Sequence, residues 1–280
     1  MKLLLESIYD KWLDFWYWLT DKISSASPKA ICISIIATIL VVIIGFLGIN
    51  HSNTYKTIAF DRQQVKAVKN KKPSAYPPTN GQFTYNLGTV RPNFDQLVKD
   101  KNSNVNMTYR GQVVIPDIKV WQPIYEGTSV GAIANGVGTM KPGQKFGQGN
   151  YSIFGHNYRS VKFGDRLLLT HLQTKVGVPG NSDNSLIGTK LGQKIYAYDG
   201  ENVVTFKVIS QNIKDSNDLI NTVSDLNVHN NALITIVTEY VQSDNSLKNP
   251  SQKRIVIVGQ EINSVSKDQS KNLKLFKGVS

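Results

Sequence analysis

Residues 138–157 read Gly-Thr-Met-Lys-Pro-Gly-Gln-Lys-Phe-Gly-Gln-Gly-Asn-Tyr-Ser-Ile-Phe-Gly-His-Asn. A turn rich in Gly and Pro runs straight into a short apolar stretch, Tyr151 to Phe154, and a histidine follows one glycine later. The same grammar recurs on both sides. Gln112–Ile115, Val120–Ile124, Lys194–Tyr198, Val203–Ile209, Ala232–Val237 and Arg254–Val258 are all short runs rich in β-branched or aromatic residues. Asn93-Phe94-Asp95-Gln96-Leu97-Val98 reads as the start of a short helix. Many short strands with few helices predict an all-β domain, a closed or nearly closed barrel. The chain has 280 residues, and the part of it holding these runs suffices for one substantial core. There are no internal repeats.

Two further blocks follow the first in order. One is Thr235-Ile236-Val237-Thr238-Glu239-Tyr240, the other Lys253-Arg254-Ile255-Val256-Ile257-Val258-Gly259. Together the three blocks resemble class A sortases, the membrane-anchored cysteine transpeptidases of Gram-positive bacteria. The resemblance covers roughly residues 105–262 and implies a sortase-type eight-stranded β-barrel with short helices. It also implies a reaction. A thiolate cuts a Leu-Pro-x-Thr-Gly-type (LPxTG) sorting signal between Thr and Gly, and an amine of the cell-wall precursor resolves the thioester. Such chemistry needs a nucleophile, a proton donor for the leaving amine, and donors at the developing oxyanion.

By that resemblance His156 falls on the catalytic acid, Arg254 on the family's arginine, and Thr238 on the residue before the nucleophile, whose backbone or hydroxyl can help at the oxyanion. The nucleophile itself is missing. The family pattern Thr-Leu-x-Thr-Cys, laid on Thr235 and Thr238, puts Glu239 at the cysteine. Other registers put Ile236 or Val237 there, and none yields a thiol. The single cysteine of the chain is Cys32, far upstream in an apolar run. A carboxylate at position 239 would restore the negative charge and accept charge-assisted hydrogen bonds from Arg254 or protonated His156. It is a poor nucleophile toward an amide. Taken alone, a histidine in a loop is by default a polar surface or core residue, and His51, His171 and His229 keep that reading. The resemblance calls for no cofactor and no metal, and it leaves calcium dependence and oligomeric state open.

Outside the barrel the sequence changes character. Ala30–Ile49 carries no charge and is broken only by Ser34 and Thr38 among polar types. As a helix it would rise roughly 30 Å, the thickness of a bilayer core, so it reads as one retained transmembrane helix over 30–49. The site for a cleaved signal is lacking at Gly48-Ile49-Asn50-His51. Counting Lys11, Lys22 and Lys29 against Lys56, Arg62, Lys66 and Lys69 slightly opposes an N-inside orientation. The resemblance argues for it, with residues 1–29 a cytoplasmic leader and the domain at 81–262 extracellular. Residues 5–19 hold three of the four tryptophans, which suits an interfacial helix as well as a partner-binding or frayed leader. Residues 50–80 read as a basic stalk and residues 263–280 as a basic, disordered tail.

The net charge of +12 lies mostly in those flanks. Residues 51–80 hold six basic residues against one acid, and residues 263–280 four against one. This excess suits anionic lipid headgroups or wall polymers. Nucleic acid is the rival partner for such a charge, and the apolar run together with the lack of any nucleic-acid-binding signature argues against it. Three functions are compatible with the residues: a degenerate sortase that binds sorting signals; an ordinary sortase whose Cys was replaced by engineering or sequence error; and a hydrolase with Glu239 as general base.

Overall fold

The computed structural model describes residues 13–14, 16–18, 20–21, 27–51, 53–74, 76, 78, 82–86, 92–103, 107–159, 166–174, 184–224, 231–242 and 252–277. Two compact units result, 1–56 and 57–280. In the first, helix α1 (Pro28–His51) takes in the whole apolar run. Its contiguous described side chains extend from Ile35 to Gly45, about 16 Å of helix, and among the described residues no helix is long and apolar enough to cross a membrane. Upstream, Trp16, Tyr17 and Trp18 lie exposed on helical backbone, while residues 1–12 of the leader lie outside the described residues.

The second unit is built on eight strands that close into a barrel in the order β1-β2-β3-β4-β9-β10-β8-β7. The strands are β1 (Tyr109–Ile115), β2 (Val120–Tyr125), β3 (Val137–Thr139), β4 (Asn150–Phe154), β7 (Lys194–Tyr198), β8 (Asn202–Asp215), β9 (Leu233–Glu239) and β10 (Lys253–Ser266). A hairpin of β5 (Asn157–Arg159) and β6 (Arg166–Leu168) stands apart as its own two-stranded sheet. All seven strand-like runs of the sequence fall on barrel strands, and the helix expected after Asn93 is there as α3 (Phe94–Lys101). The Asn93 side chain accepts from the Gln96 N–H and caps it.

Alternation decides where each side chain goes. Ile234 and Ile236 on β9, Ile255 and Ile257 on β10, and Tyr151 and Ile153 on β4 fill the barrel interior with Val113, Ile195 and Phe206. Their neighbours Val237, Val256 and Phe154 point outward. There they pack under Ile133 from α4 (Val130–Asn135) and under Leu219 and Val223 from α5 (Leu219–Val223). These strands are therefore buried on both faces, which is why β9 reads as an unbroken apolar run with threonines rather than as an alternating one.

Two flanking readings need correction. Residues 53–68 are not a stalk but helix α2 (Asn53–Val68), with Phe60, Gln64 and Val68 buried. The Gln64 amide donates to Gln122 Oε1 and to the Asn135 carbonyl, and Lys101 donates to the Phe60 carbonyl. Phe60, Gln64 and Val68 recur at helical spacing, a signal that the high proportion of polar residues obscures. The tail is not disordered over 263–277. Strand β10 continues to Ser266, and Phe276 is buried against Tyr198. Phe276, with Leu273 and Leu275 packed on the same cluster, and a strand extension hold a segment whose composition alone reads as free.

The barrel closes where β1 meets β7, and Gly111 sits at that seam with φ +140°. A Cβ there would lie 1.9 Å from the Tyr198 carbonyl oxygen. Gly111→Ala is expected to cost about 3 kcal/mol or more, since it combines a strained backbone with a clash against main chain. Gly192→Ala, also at positive φ but with open space around it, should cost only about 1 kcal/mol. Thermal unfolding of the two variants checks this; equal losses would mean that the seam tolerates a methyl group.

Candidate active site

Strand pairing brings the three predicted residues together before any side chain is considered. β4 and β9 run parallel with Phe154 opposite Val237, and Gly155 extends the match by donating to the Val237 carbonyl at 3.2 Å. Continued two residues past Phe154, the register carries His156 to the level of Glu239. On the other side, antiparallel β10 sets Arg254 directly opposite Glu239. Glu239 and Arg254 share the outward parity of Val237 and Val256, so the site lies on the outer wall of the barrel. It adjoins the cluster packed under α4 and α5, with the His156 ring edge-on to Phe154 at a centroid distance of 5.8 Å.

The site is closed and charged. His156, Glu239 and Arg254 are only 3%, 6% and 4% exposed. His156 Nδ1 lies 2.5 Å from Glu239 Oε1, and the Asn157 backbone N–H donates to Oε2 at 2.7 Å. Both carboxylate oxygens are thus engaged. Burial alone would raise the Glu239 carboxyl, but the His156 charge and hydrogen bond, the Asn157 N–H and Arg254 together hold it below the ordinary carboxylate range. Burial likewise draws the Arg254 guanidinium down, against the opposing pull of Glu239 and Asp215. A base so weakened is badly placed to activate water, which counts against the hydrolase reading.

Thr238 lies beside the pair, with its hydroxyl already engaged. Its hydroxyl donates to the Gly155 carbonyl at 2.7 Å, tying the histidine loop to β9, and it lies 3.5 Å from Glu239 Oε2. A hydroxyl has one proton, and the shorter bond takes it. Of the other histidines, His171 is half-buried in a 3-10 turn, Thr170–Leu172, and His229 lies outside the described residues.

Two residues that the sequence reading missed hold the site in shape. The Asn157 side chain donates to the Glu239 carbonyl at 3.0 Å and to Gln173 Oε1 at 2.7 Å. Gln173 then grips the backbone of Val241 from both sides, accepting from its N–H at 2.9 Å and donating to its carbonyl at 2.7 Å. Both amides are buried. The exit of β9 is therefore fixed to the histidine loop by side chains as well as by strand pairing. The position of Asn157 next to His156 could have drawn attention to it; nothing in the sequence marks Gln173.

The sortase domain model matches residues 113–262, and the chain belongs to the sortase family. Among its relatives is sortase A of Bacillus anthracis, 28% identical over 159 residues, a match covering 56% of this chain and 61% of that protein. Sortase A of Listeria monocytogenes is 24% identical over 180 residues, covering 63% and 68% respectively. These relatives support class A. Similar solved structures include Listeria monocytogenes sortase A, with TM-score 0.44, 24% identity, and 61% of this chain and 98% of that chain covered. Sortase C-3 of Streptococcus pneumoniae has TM-score 0.45 and 15% identity, covering 78% of this chain and 86% of that one.

Proposed function

We propose that the chain is a membrane-anchored, cell-surface sortase relative that keeps a sorting-signal groove but lacks the nucleophile, so that it binds LPxTG-type peptides without transferring them. The observation that carries this reading is Glu239. Its carboxylate is buried and held at both oxygens beside His156, opposite Arg254. That is where the family pattern, laid on Thr235 and Thr238, expects a cysteine. The group reproduces the negative charge of a thiolate and none of its nucleophilicity toward amides. The only thiol in the chain, Cys32, belongs to the apolar run.

The anchor reading has its own support. Helix α1 is 24 residues long, or about 36 Å, and includes the uncharged run 30–49 without interruption. Its described side chains Ile35, Ile36, Ile39, Leu40, Val41, Val42, Ile43 and Ile44 are exposed. So many exposed aliphatic groups on one helix call for an apolar surrounding. With the N-terminus inside, the barrel faces the cell wall, where sorting signals and wall precursor meet.

The test is a quenched Leu-Pro-x-Thr-Gly reporter with hydroxylamine as acceptor, paired with a direct binding measurement. Binding without product above background is expected. Turnover that a thiol reagent blocks would overturn the proposal, because the domain has no thiol to block. Absence of both binding and turnover would remove the peptide from the function.

A further inference from the structure

The peptide site makes no use of a basic face assembled on the outside of the barrel from the two ends of the domain. Val65 and Val68 of α2 share one apolar cluster with Leu273, Leu275 and Phe276 of the tail, over Tyr109, Trp121 and Tyr198. The segments meet again at the β7–β8 turn. Pro73 lies so close to Gly200 that a Cβ there would sit 3.1 Å from the proline ring, and the Lys267 N–H donates to the Glu201 carbonyl at 2.8 Å. Farther along, the backbone of Lys277 is clamped by Gln112, whose Oε1 accepts from its N–H at 3.1 Å and whose Nε2 donates to its carbonyl at 2.9 Å. The Lys277 ammonium rests 4.6 Å from the centre of the Trp121 ring.

The two charge-rich flanks of the sequence thus become neighbours. Lys69, Lys71 and Lys72 follow α2, Lys271 and Lys274 belong to the tail, and all five are exposed. The acids on these segments and their turn are few. Glu201 and Asp268 are exposed, and Asp199 is buried, where it accepts from the Glu201 and Asn202 N–H groups. Such an excess of one sign on an ordered surface attracts a multivalent anion, and each lysine adds to the attraction.

We propose that this face rests against an anionic lipid bilayer, which would orient the barrel on the membrane surface. Lipid is favoured over a soluble polyanion by the tether, and in that respect the inference depends on the anchor reading above. Only nineteen residues of sequence lie between Ile49 and Lys69. A face tethered so closely meets its own bilayer at high effective concentration before it meets anything else.

The test uses the full chain with vesicles of phosphatidylcholine alone or mixed with phosphatidylglycerol, footprinted by lysine acetylation and mass spectrometry. Lys69, Lys71, Lys72, Lys271 and Lys274 should be protected in the anionic vesicles, and the protection should fade in molar salt. Lys190 and Lys207, exposed elsewhere on the domain, should label equally in both. Each substitution among Lys71→Gln, Lys72→Gln, Lys271→Gln and Lys274→Gln should lower the docking equilibrium constant by about fivefold. Flotation with neutral vesicles but equal labelling in both compositions would overturn the face and leave the anchor standing. Flotation and protection with anionic vesicles only would uphold the face and remove the anchor. Protection by soluble poly(glycerol phosphate) but not by anionic vesicles would overturn the lipid assignment in favour of a wall polymer.

Discussion

Glu239→Cys is expected to form an acyl adduct with a sorting-signal peptide where the parent chain forms none. The argument is positional. Residue 239 is fixed by β10 pairing, by Asn157 on its carbonyl and by Gln173 on Val241, none of which depends on the carboxylate itself. A thiol at this site would inherit His156 on one flank and Arg254 opposite. Both favour the thiolate and lower its pKa. The Asn157 N–H, which now donates to Oε2, would be released to bind a developing oxyanion. Replacing a buried carboxylate costs stability, on the order of 3 kcal/mol or more if the cations are left unpaired and less if the thiolate forms. Unfolding should therefore be followed beside the chemistry. Mass spectrometry after mixing with a panel of sorting-signal peptides reads the adduct. It should vanish when His156→Ala or Arg254→Ala is added. A folded variant whose thiol reacts with a general reagent but acylates with no peptide would mean that the groove has been lost along with the nucleophile, and the binding reading would fall with it.

The barrel was legible because its strands are short, rich in β-branched residues and separated by Gly- and Pro-containing turns. Gln112–Ile115 and Arg254–Val258 could hardly be anything else. β3 escaped notice because three residues, Val137–Thr139, carry no period. The β5–β6 hairpin escaped because its strands are equally short. His156, Glu239 and Arg254 could be named as a set only through family resemblance, since the parallel β4–β9 pairing that joins them spans more than eighty residues of sequence. The Thr238 hydroxyl is engaged for a local reason that the sequence does not display, a near acceptor in the Gly155 carbonyl. The flanks were misjudged from composition. A lysine-rich segment reads as solvated, but a few buried groups such as Phe60, Val68 and Phe276 suffice to order it.

The largest expected loss of stability lies away from the site, at Glu126. Its carboxylate and the Arg110 guanidinium form a wholly buried ion pair between β1 and the end of β2. The pair is satisfied by four other stretches of chain. Tyr85 and Thr139 donate to Glu126 Oε1 at 2.8 and 2.9 Å. Arg110 donates to the carbonyls of Ser74 and Gln144 at 2.8 and 2.7 Å, and the Gln144 side chain in turn bonds Ser152. Burial, with the hydrogen bond to Glu126 and its charge, pushes the Tyr85 phenol well above its ordinary range, so it stays a donor. Glu126→Ala would strand the arginine charge in a dry interior, at about 3–5 kcal/mol. It would also release the strap at residues 82–86, which would then hold chiefly through Thr128. Arg110→Met should cost a comparable amount. The double variant should be more stable than the sum of the two losses predicts, because a buried pair removed whole leaves no unpaired charge. Urea midpoints of the four proteins, with proteolysis of the 74–86 segment as a local readout, measure both effects. Additive losses would show that the two charges are not coupled and that the segments they join are held by something else.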